Sequence, residues 1–183
     1  MKRLVILDRD GVINRESTAF VKTVDEWRPL DGSMEALGVL TRAGFTIAVA
    51  TNQSGIARGK FDRRTLRAMH RKLRRLAGAH DARIDRIVYC PHGPDDGCDC
   101  RKPEPGLLLQ LARHYKQDLA RVPVVGDSLR DLDAALAAGA KPVLVLTGNG
   151  AATARQLAQQ ERSVETHADL LAFARSVAGR SQG

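Results

Sequence analysis

Carboxylates and hydroxyls stand directly after three separate apolar runs. Asp8 and Asp10 follow Arg3–Leu7, Thr51 and Asn52 follow Phe45–Ala50, and Gly126-Asp127 follows Val122–Val125. If those runs are parallel strands, their carboxyl ends share one edge, and ligands bind in the crevice there. Asp8, Asp10, Thr51 and Asp127 should then converge, with Lys102 in reach. Three converging carboxylates repel one another unless a cation neutralises them. A few carboxylates completed by phosphate oxygens and water is the habitual arrangement for Mg²⁺. With Lys102 added, the site is shaped to hold a phosphoryl group, whose transfer depends mainly on positioning and charge stabilisation. No His or Ser stands beside a partner base, so the expected nucleophile is a carboxylate, which is ionised at neutral pH. A single strand-end aspartate is more often a cap or turn residue, and Asp131 could form an ordinary ion pair on its helix. It is the recurrence at three strand ends that argues for chemistry.

A second cluster is compact in sequence. Cys90, His92, Cys98 and Cys100 place three thiols and an imidazole within eleven residues. An odd number of cysteines crowded together is no disulfide framework; the set matches a closed tetrahedral Zn²⁺ site, structural rather than catalytic. The intervening Gly93-Pro94-Asp95-Asp96-Gly97 has no core of its own, so metal would brace the loop and fix Arg101-Lys102 beyond it. His70, His80, His114 and His167 are expected at the surface, on helices or their ends.

The elements that must position these groups alternate. Apolar runs at Arg3–Leu7, Phe45–Ala50, Ile84–Tyr89, Val122–Val125 and Pro142–Leu146 read as strands. Helical patterns lie between them at Ser33–Ala43, Asp62–Ala79, Pro105–Lys116 and Ser128–Ala138. The prediction is an α/β fold, a three-layer Rossmann-like parallel sheet with helices on both faces. The tail from Ala151 should add one or two helices, including Ala168–Val177, and Arg180–Gly183 should fray. Residues 1–183 read as one domain, with no room for a cap domain at Asn14–Asp31 or Cys90–Glu104.

Composition narrows the function classes. The 183 residues, 43% hydrophobic and 27% charged, suit an ordinary globular core. No apolar run approaches a membrane span, and Leu4–Leu7 is too short for a signal peptide, so a cytoplasmic protein is expected. The net charge is +8, much of it on Arg63, Arg64, Arg67, Arg71, Lys72, Arg74 and Arg75, the outer face of one amphipathic helix. Such a face draws anionic substrates. A nucleic-acid-binding zinc module is the rival from another class, but two Tyr and one Trp offer no platform for stacked bases, and it leaves the strand-end aspartates unexplained.

Asp8-Arg9-Asp10-Gly11-Val12, Thr51-Asn52, Lys102-Pro103 and Gly126-Asp127-Ser128 with Asp131 resemble, in order, the four motifs of the haloacid dehalogenase (HAD) superfamily of phosphatases. The runs Thr51–Gly59, Cys90-Pro91-His92 and Cys98–Pro103 are similar to its D-glycero-D-manno-heptose 1,7-bisphosphate 7-phosphatase subfamily, which lacks a cap and serves ADP-heptose and lipopolysaccharide core synthesis. The resemblance implies Asp8 as nucleophile and Asp10 as alternating acid and base. It implies Mg²⁺ on Asp8, the Asp10 carbonyl and Asp127, with Thr51 and Lys102 on the phosphoryl oxygens. Arg101 would recognise the second phosphate. Asn52, Gln53, Ser54, the loop Glu16, Ser17, Thr18, Ala19 and Phe20, and Ser128 would complete the pocket. Ser128 stands where the family commonly has Lys, so that contact is missing or comes from Arg130, and Asn149 stands where a basic residue is frequent. The implied partner is a small sugar bisphosphate, without nucleic acid or membrane, and a monomer is expected. Histidinol-phosphate phosphatase, with a similar zinc loop, is the nearest alternative.

Overall fold

The computed structural model describes residues 3–179; the expected fraying at Arg180–Gly183 lies outside them. Along the chain run β1 (Arg3–Leu7), α1 (Ser33–Arg42), β2 (Phe45–Asn52), α2 (Arg63–Gly78), β3 (Ile84–Cys90) and α3 (Gly106–Tyr115). They are followed by β4 (Pro123–Gly126), α4 (Leu129–Ala137), β5 (Lys141–Val145), α5 (Gly150–Gln159), β6 (Glu165–His167) and α6 (Leu170–Gly179). The strands form one parallel sheet in the order β3-β2-β1-β4-β5-β6.

Strand period 2 divides the core. Val5 and Leu7 point with Ile47, Val49 and Val125 into a cluster closed by Leu37 and Leu40 of α1, Leu66, Met69 and Leu73 of α2, and Phe173 of α6. Leu4 and Ile6 point the other way, with Ala48 and Ala50, onto Leu107, Leu108 and Leu111 of α3 and Ala134 and Ala135 of α4. A sheet covered on both faces needs apolar residues at every position, which is why the strands read as unbroken apolar runs. This is the predicted three-layer architecture. The connections 8–32 and 91–105 contain no helix or named strand, so among the described residues neither connection builds a cap over the sheet edge.

Two differences from expectation bear on the site. β2 runs on to Asn52, with Thr51 paired to Tyr89 and Asn52 to Cys90, so these polar residues are held in the ladder itself. β6 has no counterpart among the predicted strands: Glu165-Thr166-His167 is short and polar, and it pairs only with β5 at the sheet edge. His167, expected on a helix or at its end, therefore lies in a strand, three residues before α6.

Candidate active site

The chain reverses its sheet order on either side of β1, whose neighbours are β2 and β4. Asp8 leaves β1 there, its N–H donating to Val125 O at 2.9 Å, and Asp127 leaves β4 alongside. Lys102, with 3% of its surface exposed, brings Nζ to 2.9 Å from Asp8 Oδ1 and 2.5 Å from Asp131 Oδ1, and donates to Ala50 O at 2.9 Å. Asp8 Oδ1 is buried, and Lys102 is the cation that faces it. Asp8, Asp127 and Asp131 each bring an oxygen within 4.8 Å of the others. One lysine among three carboxylates leaves the cluster negative. Burial pushes the Asp8 carboxyl up to about 7, with Lys102 opposing and Asp131 and Asp10 reinforcing. Burial and the charges of Asp8 and Asp131 push Asp127 up to about 8. Such a donor set fits a hard divalent cation, which would relieve the repulsion.

Asp127 is held in a slot made by two glycines. A Cβ on Gly11 would lie 2.1 Å from Asp127 Oδ2, and one on Gly148 2.2 Å from it, and both glycines have positive φ. Its Oδ2 also accepts from the Asn149 N–H at 2.8 Å, at the head of α5. Asp131, which could have made an ordinary ion pair on its helix, instead reaches back to cap α4. Its Oδ2 accepts from the Ser128 hydroxyl at 2.6 Å and the Ser128 N–H at 3.1 Å, while Oδ1 faces Lys102. Burial opposes its ionisation, but Lys102 and the Ser128 donors outweigh that and keep its carboxyl below the usual range.

The Asp10 carboxylate is held by a separate set of partners. Oδ1 accepts from Arg9 Nη2 and from Asn14 Nδ2, both at 2.8 Å, and from Arg9 Nε at 3.3 Å. Oδ2 accepts from Arg9 Nη2 at 3.0 Å and Gln53 Nε2 at 2.8 Å. Burial works against its charge, but the Arg9 guanidinium and these donors hold the carboxyl below the usual range.

A cavity of about 360 Å³ opens over these residues. It is walled by Glu16, Ser17, Thr18, Phe20, Ser54 and Thr51 and by the cations Arg58, Arg101 and Arg130. Of the loop 16–20, Glu16, Ser17, Thr18 and Phe20 thus border this cavity, whereas Ala19 lines a neighbouring depression. Asn52 lines the cavity, but its amide is engaged with Lys102: Nδ2 donates to Lys102 O and Oδ1 accepts from Lys102 N–H, both at 3.0 Å. Ser128 likewise spends its hydroxyl on Asp131. Arg101 donates to His92 O at 3.2 Å, and Asn149 bridges Asp127 to Glu16.

The cysteine cluster is assembled. Cys90 Sγ is 3.7 Å from Cys98 Sγ and 3.5 Å from His92 Nδ1, while Cys100 Sγ is 3.6 Å from Cys98 Sγ and 3.3 Å from His92 Nδ1. A tetrahedron with metal–sulfur bonds of about 2.3 Å has edges of about 3.8 Å, so these spacings suit a Zn²⁺ ion. The cluster also touches the second motif, since Gln53 N–H donates to Cys90 O and Ala57 N–H to Pro91 O.

Sequence reasoning undervalued Arg9 and His70. His70, expected at the surface, is buried on the inner face of α2 between Leu66 and Leu73. Helical spacing on the apolar stripe was the available signal. For Arg9 it was a charged residue caught between two strand-end aspartates.

Comparisons with known proteins agree with this geometry. A HAD-hydrolase-like family model matches residues 99–172. A D-glycero-β-D-manno-heptose-1,7-bisphosphate 7-phosphatase from Pseudomonas putida is 58% identical over 82% of this chain and 86% of its own. One from Bordetella bronchiseptica is 57% identical over 84% and 86%. The crystal structure of D,D-heptose 1,7-bisphosphate phosphatase from B. bronchiseptica, complexed with magnesium and phosphate, superposes with a TM-score of 0.93 at 52% identity, covering 97% of this chain and 99% of that one. With that identity over most of both chains, and that superposition, the chain belongs to the D-glycero-β-D-manno-heptose-1,7-bisphosphate 7-phosphatase family of HAD-like hydrolases.

Proposed function

We propose that the protein, working as one domain, hydrolyses the 7-phosphate of D-glycero-D-manno-heptose 1,7-bisphosphate through a phospho-aspartate on Asp8. The observation that carries this is the meeting of Asp8, Asp127 and Lys102 at the sheet's switch point, beneath a cavity ringed by arginines. Asp8 attacks phosphorus, and the bond to the sugar oxygen breaks as Asp10 gives that oxygen its proton. Water then attacks the acyl phosphate and gives a proton back to Asp10, releasing phosphate and restoring Asp8. The dianionic phosphoryl group beside Asp10 favours the protonated acid that the first step requires. Thr51 and Lys102 hold phosphoryl oxygens. Asp8, the Asp10 carbonyl and Asp127 would hold Mg²⁺, which offsets the charge gathering on phosphorus.

Arg101 and Arg130 face the cavity where a second phosphate would lie, and a guanidinium forks well onto phosphate. That pair of cations favours a bisphosphate over histidinol phosphate. Cys90, His92, Cys98 and Cys100 would hold a structural Zn²⁺, bracing the backbone from His92 to Lys102. The test is a phosphate-release panel of both heptose bisphosphate anomers, histidinol phosphate and a 3′-phosphorylated oligonucleotide. Asp8→Asn should abolish turnover of the bisphosphate in a folded protein; retained activity refutes the covalent route. Arg101→Ala should impair the bisphosphate far more than a monophosphate, and equal losses would remove its assigned role.

A further inference from the structure

Gln53 reads from sequence as a substrate contact, yet its side chain is nearly spent inside the protein. It is 5% exposed. Nε2 donates to Asp10 Oδ2 at 2.8 Å and to Thr51 Oγ1 at 2.9 Å, and Oε1 accepts from Arg9 Nη2 at 3.2 Å. Arg9, 1% exposed, lies along the same carboxylate, and its Nη1 is 3.4 Å from His70 Nε2. Burial and the charges of Arg9 and Arg74 hold His70 down to about 3, so at neutral pH its ring is uncharged and can accept from Arg9. A chain of contacts therefore runs from α2 through His70, Arg9 and Gln53 to both oxygens of Asp10 and to the Thr51 hydroxyl.

We propose that Gln53, Arg9 and His70 are positioning residues, which aim the Asp10 carboxyl at the leaving-group oxygen and keep it in register with Thr51. The inference rests on the phosphatase reading with Asp10 as the acid. An acid fixed by five hydrogen bonds loses aim, rather than identity, when one tether is cut. The cost should then depend on how much the leaving group needs a proton.

The test measures kcat/KM for an alkyl phosphate (the sugar bisphosphate) and an aryl phosphate (4-nitrophenyl phosphate). This parameter reports steps up to leaving-group departure and is blind to the later attack of water. An alkoxide cannot depart without a proton, whereas 4-nitrophenolate can. Gln53→Leu should lose at least about tenfold more on the alkyl than on the aryl substrate, a fraction of the usual worth of a general acid. His70→Leu should skew the ratio in the same direction, and His70→Gln, which keeps an acceptor for Arg9, should restore it. Equal losses on both substrates, or a rise in KM alone, would make Gln53 a structural or binding residue and overturn the proposal. A wild-type protein that releases phosphate from neither substrate overturns the phosphatase reading as well, so the two failures are distinct.

Discussion

Asp127 shows how tightly a single carboxylate can be specified by its neighbours. Its Oδ2 sits between Gly11 and Gly148, and a Cβ on Gly148 would come within 2.2 Å of that oxygen and 2.6 Å of Gly11 Cα. Gly148 also has φ of +57, a conformation that costs an alanine about 1–2 kcal/mol before any clash is counted. Gly148→Ala should therefore displace Asp127 rather than merely crowd a loop. The expected result is a loss of at least about a hundredfold in kcat/KM. The Mg²⁺ concentration for half-maximal activity should rise well above that of the wild type, since the displaced residue is a metal ligand in the proposed site. A magnesium titration of activity checks it. A drop in melting temperature with unchanged magnesium dependence would show that Gly148 serves only the turn.

The loops that build the cavity depend on elements packed behind them. From α2, Lys72 Nζ donates to Val24 O and Trp27 O, both at 2.7 Å, and lies 6.0 Å from the Trp27 ring centroid. This one ammonium ties the segment following Glu16–Phe20 to the helix. Lys72→Met keeps the stem but removes the donor from two part-buried carbonyls, at a cost of about 1–3 kcal/mol. KM for the bisphosphate should rise several-fold with kcat within about twofold, and limited proteolysis should cut between residues 15 and 31 sooner. Unchanged KM would mean that the loop orders without this tether. Much of this level was legible in the sequence, because buried parallel strands announce themselves as apolar runs and strand ends by the polar residue that follows. The reach of Asn52 to the Lys102 backbone was not, since it joins residues fifty positions apart and each looks ready for substrate. The burial of Gln53 was hidden for the same reason: a polar side chain beside a catalytic motif has the same spelling whether it faces substrate or protein. β6 escaped because three polar residues at a sheet edge carry no alternating pattern.

Charge is the property that only the whole molecule has. The net +8 is concentrated: Arg63, Arg64, Arg67, Arg71, Arg74 and Arg75 are exposed on α2, and Arg58, Arg101 and Arg130 line the cavity mouth. The mouth arginines line the cavity and those on α2 do not, so the latter would act on a substrate through their field. A field of this kind gathers anions and loses its reach as salt shortens the screening length from about 10 Å at 0.1 M to about 3 Å at 1 M. Reversing Arg63, Arg67 and Arg71 together to Glu should lower kcat/KM for the bisphosphate about five- to tenfold at low ionic strength. The deficit should be smaller for a monophosphate, which carries less charge. Near 1 M salt the variant and the wild type should converge, because the contacts at the mouth are unchanged and only the distant attraction has been removed. A deficit that persists at high salt would place these arginines in direct contact with substrate or in the packing of α2, and no deficit at any salt would reduce the basic face to a solvated surface.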